Sequence, residues 1–409
     1  MNVRFRAAIA LTLVFVVASA RSARAQLMPT PPDAAGARVR LGPLRLNPSL
    51  SLTDIGVDTN LFNDADALNP KRDVALTFVP QTDIWMRAGR TWLTGNVRQD
   101  LVWFQDYRDE RSANGAYRAG WVVPLTRVSL LVDGTWVRAK ERSGFEIDAR
   151  ADRREGALSA TTEVRALSRT FLGARAERRD IRFSTRSFFG GESLSEQLNR
   201  TRAGGAVTVR HEATPMTSLT AEVSEYHDRF ALSPGRDANS IQAAGGVRFD
   251  PEAVIKGSVM VGYRRFTPAS PDVPEYSGAT VAANVSYVAT TSTRVTLEAA
   301  RDVEHSFENS HPYYLLNGIA GSFTQRVHGP LDVQGRVGFH SLTYRSRLND
   351  ATAPPERRDR ITTLGGGFGY RLGRDLRLTF DVEQQGRLSV LALRNYSGIR
   401  YGMSVTYGL

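Results

Sequence analysis

Leu331–His340 reads LDVQGRVGFH, with Leu331, Val333, Val337 and Phe339 apolar on one side and Asp332, Gln334, Arg336 and His340 polar on the other. Gly278–Tyr287 (GATVAANVSY) repeats the pattern: Ala279, Val281, Ala283, Val285 and Tyr287 alternate with Thr280, Asn284 and Ser286. Alternation at 180° per residue marks a β-strand whose two faces meet unlike surroundings. In a soluble sandwich the apolar face is the core. In a membrane barrel it faces lipid, and the polar face lines the lumen. One strand does not separate these cases, but the connections do.

About eighteen such segments follow one another from 44–57 to 396–409, and the links between them alternate in length. Short links (MRAGRT, VPLTR, LSRT, ATPMTS, DPEA, ATTST, HGPL, LGRD) fall between longer polar ones: Asn63–Arg72, Ala139–Arg154, Ser184–Asn199, Thr267–Tyr276, Ser346–Arg360 and Gln385–Asn395. Short turns at one end and long loops at the other are the signature of an outer-membrane barrel with its turns in the periplasm. The chain is therefore predicted to be all-β, a transmembrane antiparallel barrel of about eighteen strands over 44–409. Sixteen is the alternative count, because Pro48 interrupts the first segment and Tyr313–Arg326 is apolar on both faces. Glycines inside the returning strands, Gly204–Gly205, Gly245–Gly246 and Gly365–Gly367, fit bends or close approach in the wall.

The first residues predict export. Arg4 and Arg6 precede the apolar run Ala7–Ala18, and Ala23-Arg24-Ala25 supplies a small-residue cleavage site, so residues 1–25 read as a signal peptide with maturation before Gln26. Twelve apolar residues fall short of the roughly twenty that a helix needs to cross about 30 Å of hydrocarbon. Residues 26–43 are Pro/Ala-rich and read as a periplasmic lead-in. The chain has no cysteine, which excludes a lipoprotein anchor, disulfides and thiolate metal sites. Losing Arg4, Arg6, Arg21 and Arg24 with the signal, and no acid, lowers the formal charge from +11 to +7. Export and the lack of Lys/Arg runs argue against nucleic acid. The expected partners are outer-membrane lipid and lipopolysaccharide, the barrel-assembly machinery, and anionic solutes or polysaccharide.

From the seventh strand onward, alternation assigns thirteen basic groups to the lumen: Arg175, Arg179, Arg202, Arg210, Arg248, Lys256, Arg264, Arg294, Arg326, Arg336, Arg371, Arg377 and Arg400. Eight acids share that face: Glu177, Glu222, Asp228, Glu298, Asp302, Asp332, Asp381 and Glu383. The surplus predicts a slightly basic pore lining. At the other edge, Tyr401, Met403, Val405, Tyr407 and Leu409 alternate with small or polar residues and read as the C-terminal assembly signal, ending in Leu rather than Phe.

These features together, with the opening Leu46–Phe62 (LNPSLSLTDIGVDTNLF) and above all its DTNLF, resemble the β-barrel porin-2 family, whose relatives include barrels of exopolysaccharide clusters. The resemblance implies an outer-membrane barrel connected with polysaccharide export or adsorption, and no catalytic residues. None are assigned from the residues either, nor any cofactor or metal. His305 and His311, the closest histidine pair, fall in a predicted outer loop and read as solvent-facing or satisfied. Asp54, Asp58, Asn60, Asn63, Asp64 and Asp66 read as turn formers rather than a Ca²⁺ site. Arg345, Arg347, Arg357, Arg358 and Arg360 make one outer loop basic, a solvated face or a contact for lipopolysaccharide phosphates. The expected function is a porin-like or polysaccharide-export channel. A non-conducting scaffold or adhesin-like barrel is the alternative, and an outer-membrane hydrolase the distant third.

Overall fold

A computed structural model describes residues 37–290, 292–348 and 357–408. The expected signal peptide, the start of the expected lead-in and Leu409 lie outside them. Eighteen long strands form the wall: β1 (Leu44–Asp58), β2 (Asp73–Ala88), β3 (Thr91–Phe104), β4 (Ser112–Pro124), β5 (Val128–Arg142), β6 (Arg150–Leu167), β7 (Thr170–Phe183), β8 (Arg200–Thr214), β9 (Thr217–Phe230), β10 (Ala238–Phe249), β11 (Ile255–Pro268), β12 (Tyr276–Thr290), β13 (Thr293–His305), β14 (Tyr313–His328), β15 (Leu331–Arg345), β16 (Arg358–Leu372), β17 (Leu376–Leu388) and β18 (Tyr396–Tyr407). Each pairs antiparallel with the next, and β1 closes on β18 through Leu50↔Tyr407 to Asp58↔Arg400, so the barrel leaves no free edge.

The predicted alternation of links holds. Turns such as Gly89–Arg90, Ser168–Arg169 and Gly329–Pro330 occupy one end, and every longer connection occupies the other. Four of those loops are shorter than expected: β5 and β6 run on to Arg142 and from Arg150, leaving Ser143–Ala149, β11 runs to Pro268, β16 starts at Arg358 and β17 runs to Leu388. The strands continue past the apolar belt because their polar ends still satisfy backbone groups by laddering. Spanning a bilayer takes about ten residues, whereas these strands run from twelve to eighteen. The lead-in is also not wholly a tether, since Val39–Leu41 folds back on the start of β1 (Val39↔Leu46, Leu41↔Leu44).

Outward positions carry Val207, Val223, Leu297, Ile319, Phe339 and Leu364, each between 54 % and 63 % exposed. Apolar exposure all around a closed sheet is costly in water and favourable in lipid. Pro48 does not break β1: it pairs with Thr82 on β2 and lies beyond the last β18 partner, where a missing donor costs little. Where β1 meets β18 the register slips between Leu52 and Ile55, with Asp54 at φ 55°. A Cβ on Gly56 would sit 2.0 Å from the Tyr401 carbonyl oxygen, so this bulge accepts only glycine. Gly246 and Gly367 meet neighbouring carbonyls as closely, at 1.9 and 2.1 Å, the close approach expected of the in-strand glycines.

The upper ends of β13 and β14 leave the cylinder. Alternation makes Val303, Tyr313 and Leu315 outward-facing, yet they pack with Ala238, Phe266 and Tyr276 from the inward face of β10–β12, together with Val273. His305, also of outward parity, contacts Asp228 on the inner wall, Nε2 to Oδ2 3.4 Å. The β13–β14 tip is therefore folded into the lumen, lapped inside its neighbours. This explains why Tyr313–Arg326 is apolar on both faces: Tyr314 and Leu316 pack with Leu342, Tyr344 and Ile361 on the opposite side.

Candidate functional site

The candidate site is the lumen, whose two ends differ. Along most of its length the predicted lining residues are engaged in cross-strand pairs. Arg202 holds Asp228 at 2.9 Å, Arg210 holds Glu163 at 2.5 Å, Arg336 holds Glu383 at 2.6 Å and Arg400 holds Asp58 at 3.0 Å. Arg264 pairs with Asp302, and Arg377 with Asp332. Arg175 Nη2 donates to Tyr226 Oη at 3.0 Å and lies 3.6 Å from Glu222. Arg179 pairs with Glu177 and with Glu155 of β6. Asp381 accepts from Gln334, and Glu298 from Asn284 at 3.3 Å. Acids of β6 and of the loops thus enter the lumen, and the expected basic surplus is consumed along most of the wall.

Part of it survives at the short-turn end, where Arg210 and Arg377 are paired with Glu163 and Asp332 but five other cations are not. Arg248, Lys256, Arg294, Arg326 and Arg371 make no ion pair among the described residues, and the last three are exposed. They stand at the ends of β10, β11, β13, β14 and β16 that adjoin the short turns. Their exposed side chains of inward parity ring this mouth of the barrel.

The long-loop end is filled. Ser143–Ala149, between β5 and β6, drops inward and lays the Phe145 ring on His340 of β15, centroids 3.8 Å apart. Glu146 accepts from Ser306 Oγ at 2.5 Å and from the Phe307 amide at 3.1 Å, tying this loop to the β13–β14 tip. Phe307 then joins Ile147, Ile181, Phe183, Leu194 and Leu198 in an apolar cluster. Leu194 and Leu198 lie on the short helix Leu194–Leu198, where the Ser193 hydroxyl caps the Glu196 amide.

Arginines bind these pieces together. Arg387 reaches Asp148 and the carbonyls of Phe145 and Glu146. Arg357 stacks over Tyr344 at 4.2 Å and holds Glu308 at 2.5 Å and Asp359 at 3.1 Å. Arg236 donates to the Pro312 carbonyl at 3.0 Å and Gln197 Oε1 at 2.7 Å. Arg357, Arg387, Tyr344, Leu342 and Asp359 are all less than 2 % exposed. Guanidiniums are buried this far only when each is paired and hydrogen-bonded. Side chains so enclosed fill much of this part of the lumen. Beneath the plug lies a cavity of about 250 Å³, with Arg179, Arg202 and Arg264 facing Glu155 and Asp302 in its lining.

Two plug acids are shifted in opposite directions. Burial pushes the Glu146 carboxyl up to about 7 against its bonds to Ser306 and the charge of Arg394. Burial acts the same way on Glu308, but the hydrogen bond from His311 and the charge of Arg357 outweigh it and bring that group down to about 2.

Several expectations are corrected here. Of the two readings for His305 and His311 the satisfied one holds, with His305 Nε2 3.4 Å from Asp228 and His311 Nδ1 3.0 Å from Glu308, but His305 ends β13 rather than lying in the outer loop. The basic loop is not one patch, because Arg357 turns inward, Arg347 pairs with Asp272, and Arg358 and Arg360 point outward. The Asp/Asn cluster forms turns, with Asp58 Oδ1 accepting from the Asn60 amide at 2.9 Å and Asn60 Oδ1 from the Asp64 amide at 2.8 Å. Tyr401, Met403 and Tyr407 face outward, 42–58 % exposed. Sequence reasoning missed Glu146, Asp148, Glu308, Asp359, Arg387 and Arg394. Their one signal was excess charge beside Phe and Ile in links too short to form a domain.

A family profile described as putative β-barrel porin 2 matches residues 30–408. No curated protein matches the chain. Among solved structures, Pseudomonas aeruginosa OpdK with vanillate is similar at 10 % identity over 89 % of this chain and 98 % of its own, TM-score 0.47. Acinetobacter baumannii OccAB4 is similar at 7 % identity over 88 % and 97 %, TM-score 0.48. The P. aeruginosa siderophore receptor PirA is similar at 10 % identity over 89 % and 80 %, TM-score 0.41.

Proposed function

The chain belongs to the putative β-barrel porin 2 family, and from that premise we propose that it is an outer-membrane channel for acidic solutes or an acidic polysaccharide, entered from the periplasm and gated by its own loops. The observation that carries this reading is the sorting of charge along the lumen. Among the described residues Arg248, Lys256, Arg294, Arg326 and Arg371 make no ion pair at the short-turn end, where only part of the basic lining is neutralised, while inward-folded loops fill the other. Unpaired cations at the mouth of a low-dielectric passage concentrate anions. With the short turns in the periplasm, that mouth collects anions from inside the cell envelope, the direction an export conduit requires.

Reversal potentials of the purified barrel in a KCl gradient test it. The expected result is an anion preference that fades above about 1 M salt, where the Debye length is roughly 3 Å. Replacing Arg294, Arg326 and Arg371 together by Gln should abolish the preference, and a cation preference in the wild type would overturn the proposal. The extent of the plug favours a second reading, a non-conducting barrel whose loops bind at the surface. Absence of current even after Phe145→Ala would favour that one.

A further inference from the structure

Between β12 and β13 the ladder stops short of the strand ends. It runs from Thr290↔Thr293 to Val281↔Arg301, although β12 reaches back to Tyr276 and β13 on to His305. Beyond that point β12 stays with β11 (Phe266↔Tyr276) and β13 stays with β14 (His305↔Tyr313). The wall is therefore split by a seam on the long-loop side, and the β13–β14 tip is lapped inside it. The pairs at the foot of the seam, Ala282↔Ala300 and Ala283↔Ala299, are alanines, which give little cross-strand contact. Arg301 bridges the seam from outside, its Nε donating to the Ala279 carbonyl at 3.1 Å.

The lipid-facing surface beside the seam is ordered in rows. Register aligns Arg301, Asn317, Ser341 and Arg360 across four strands, all of outward parity. Arg358 adds to this row through its Nε, 2.8 Å from Ser341 Oγ. The row beneath is Ala299, Ile319, Phe339 and Thr362, with Ile319 and Phe339 more than half exposed. Between them lies a groove of about 520 Å³. The cavity inside the lumen borders the same two residues, Val281 and Ala300, so at the seam only this thin stretch of wall stands between the two spaces.

An arginine on a lipid-facing wall reaches for water or an anion at headgroup depth. Two other outward-facing arginines have acids beside them, Arg265 with Glu275 at 3.2 Å and Arg178 with Asp180 at 3.2 Å, whereas Arg138 and Arg154 pair with one another across β5 and β6 with no acid among the described residues. Arg301 and Arg360 have no acid partner among the described residues. We propose that this shelf binds a phosphate-bearing lipid of the surrounding leaflet, its phosphate on Arg301 and Arg360 and an acyl chain along Ile319 and Phe339. The phosphate competes with the Ala279 carbonyl for Arg301 and so opens the seam as a lateral portal into the lumen. This goes beyond the channel reading and does not depend on conduction.

Native mass spectrometry of the purified full chain with diphosphorylated lipid A tests the site. One lipid should remain bound, and the Arg301→Gln/Arg360→Gln variant should retain it at least about tenfold less. Arg265→Gln, equally outward but paired, should retain it as the wild type does, which separates the site from general loss of fold. Lipid A stripped of phosphate should not be retained, and excess inorganic phosphate should not displace the intact lipid. Equal retention by the double variant, retention of the stripped lipid, or displacement by free phosphate would overturn the proposal. For the portal, spin labels at Ser277→Cys and Thr343→Cys, on either side of the seam, should move apart when the diphosphorylated lipid binds. An unchanged distance with lipid bound would refute the opening.

Discussion

The Phe145 ring lies on His340 with 26° between their planes, although one residue belongs to a loop at the barrel rim and the other to the middle of β15. The stack carries the loop into the lumen, and Phe145 extends the apolar group of Tyr314, Leu316, Leu342, Tyr344 and Ile361. Phe145 is partly buried, so its truncation should cost less than the about 3–5 kcal/mol of a fully buried Phe while still removing the ring that anchors the loop. Phe145→Ala should therefore release the loop without disturbing the barrel, whose ladders do not include this residue. Single-channel recordings should show long openings that the wild type lacks, at unchanged yield of heat-modifiable barrel. Unaltered closure would mean that this loop is not the gate.

Glu146 makes the plug sensitive to pH. Its carboxyl titrates near 7 in the folded plug against 4.5 ordinarily, so the plugged state holds the proton more tightly than the released one. The stabilisation is full below about pH 4.5 and is lost as pH rises through about 7, a change on the order of 3 kcal/mol. Trypsin cleavage after Arg142 or Arg150, which bracket the loop, should accelerate between pH 5 and pH 8 on the scale set by those two values. Glu146→Gln should flatten that dependence. A wild-type profile as flat as the variant's would count against this role.

The terminal strand separates two faces one residue apart. Tyr407 is 58 % exposed on the lipid side, whereas Thr406 Oγ1 accepts a hydrogen bond from Ser51 Oγ at 3.2 Å. A charge on the lipid face costs about 2–4 kcal/mol at mid-bilayer and less towards the interface. Tyr407→Asp should lower the yield of assembled barrel, and Thr406→Asp should leave it nearly unchanged. Equal yields, measured by heat-modifiable migration, would reverse the face assignment.

Orientation is checked by single cysteines, against a background free of native ones. Ser270 and Ser389 lie in long loops, Thr126 and Ser168 in short turns. Cysteines at the first two should react on intact cells with a reagent that does not cross the outer membrane. Those at the last two should need permeabilisation. The opposite pattern would exchange the ends of the lumen and, with them, the direction of entry.

What the sequence alone determined is what repeats along it. Period-two alternation defined strand, face and even the inward parity of Arg202, Arg336 and Arg377, because each depends on neighbours two residues away. The alternation of short and long links defined the barrel and sorted its ends. What only the tertiary structure decided depends on groups far apart in sequence. Arg387 meets Asp148 across |i−j| of 239, and Glu146 meets Ser306 across 160. No local pattern marks such partners, since a charged loop in water and a charged loop inside a barrel have the same composition. The inward fold of β13 and β14 was hidden for a related reason. Parity specifies a face of the sheet, but which space that face looks into is decided by how far the neighbouring strand remains paired, and beyond Val281↔Arg301 it does not.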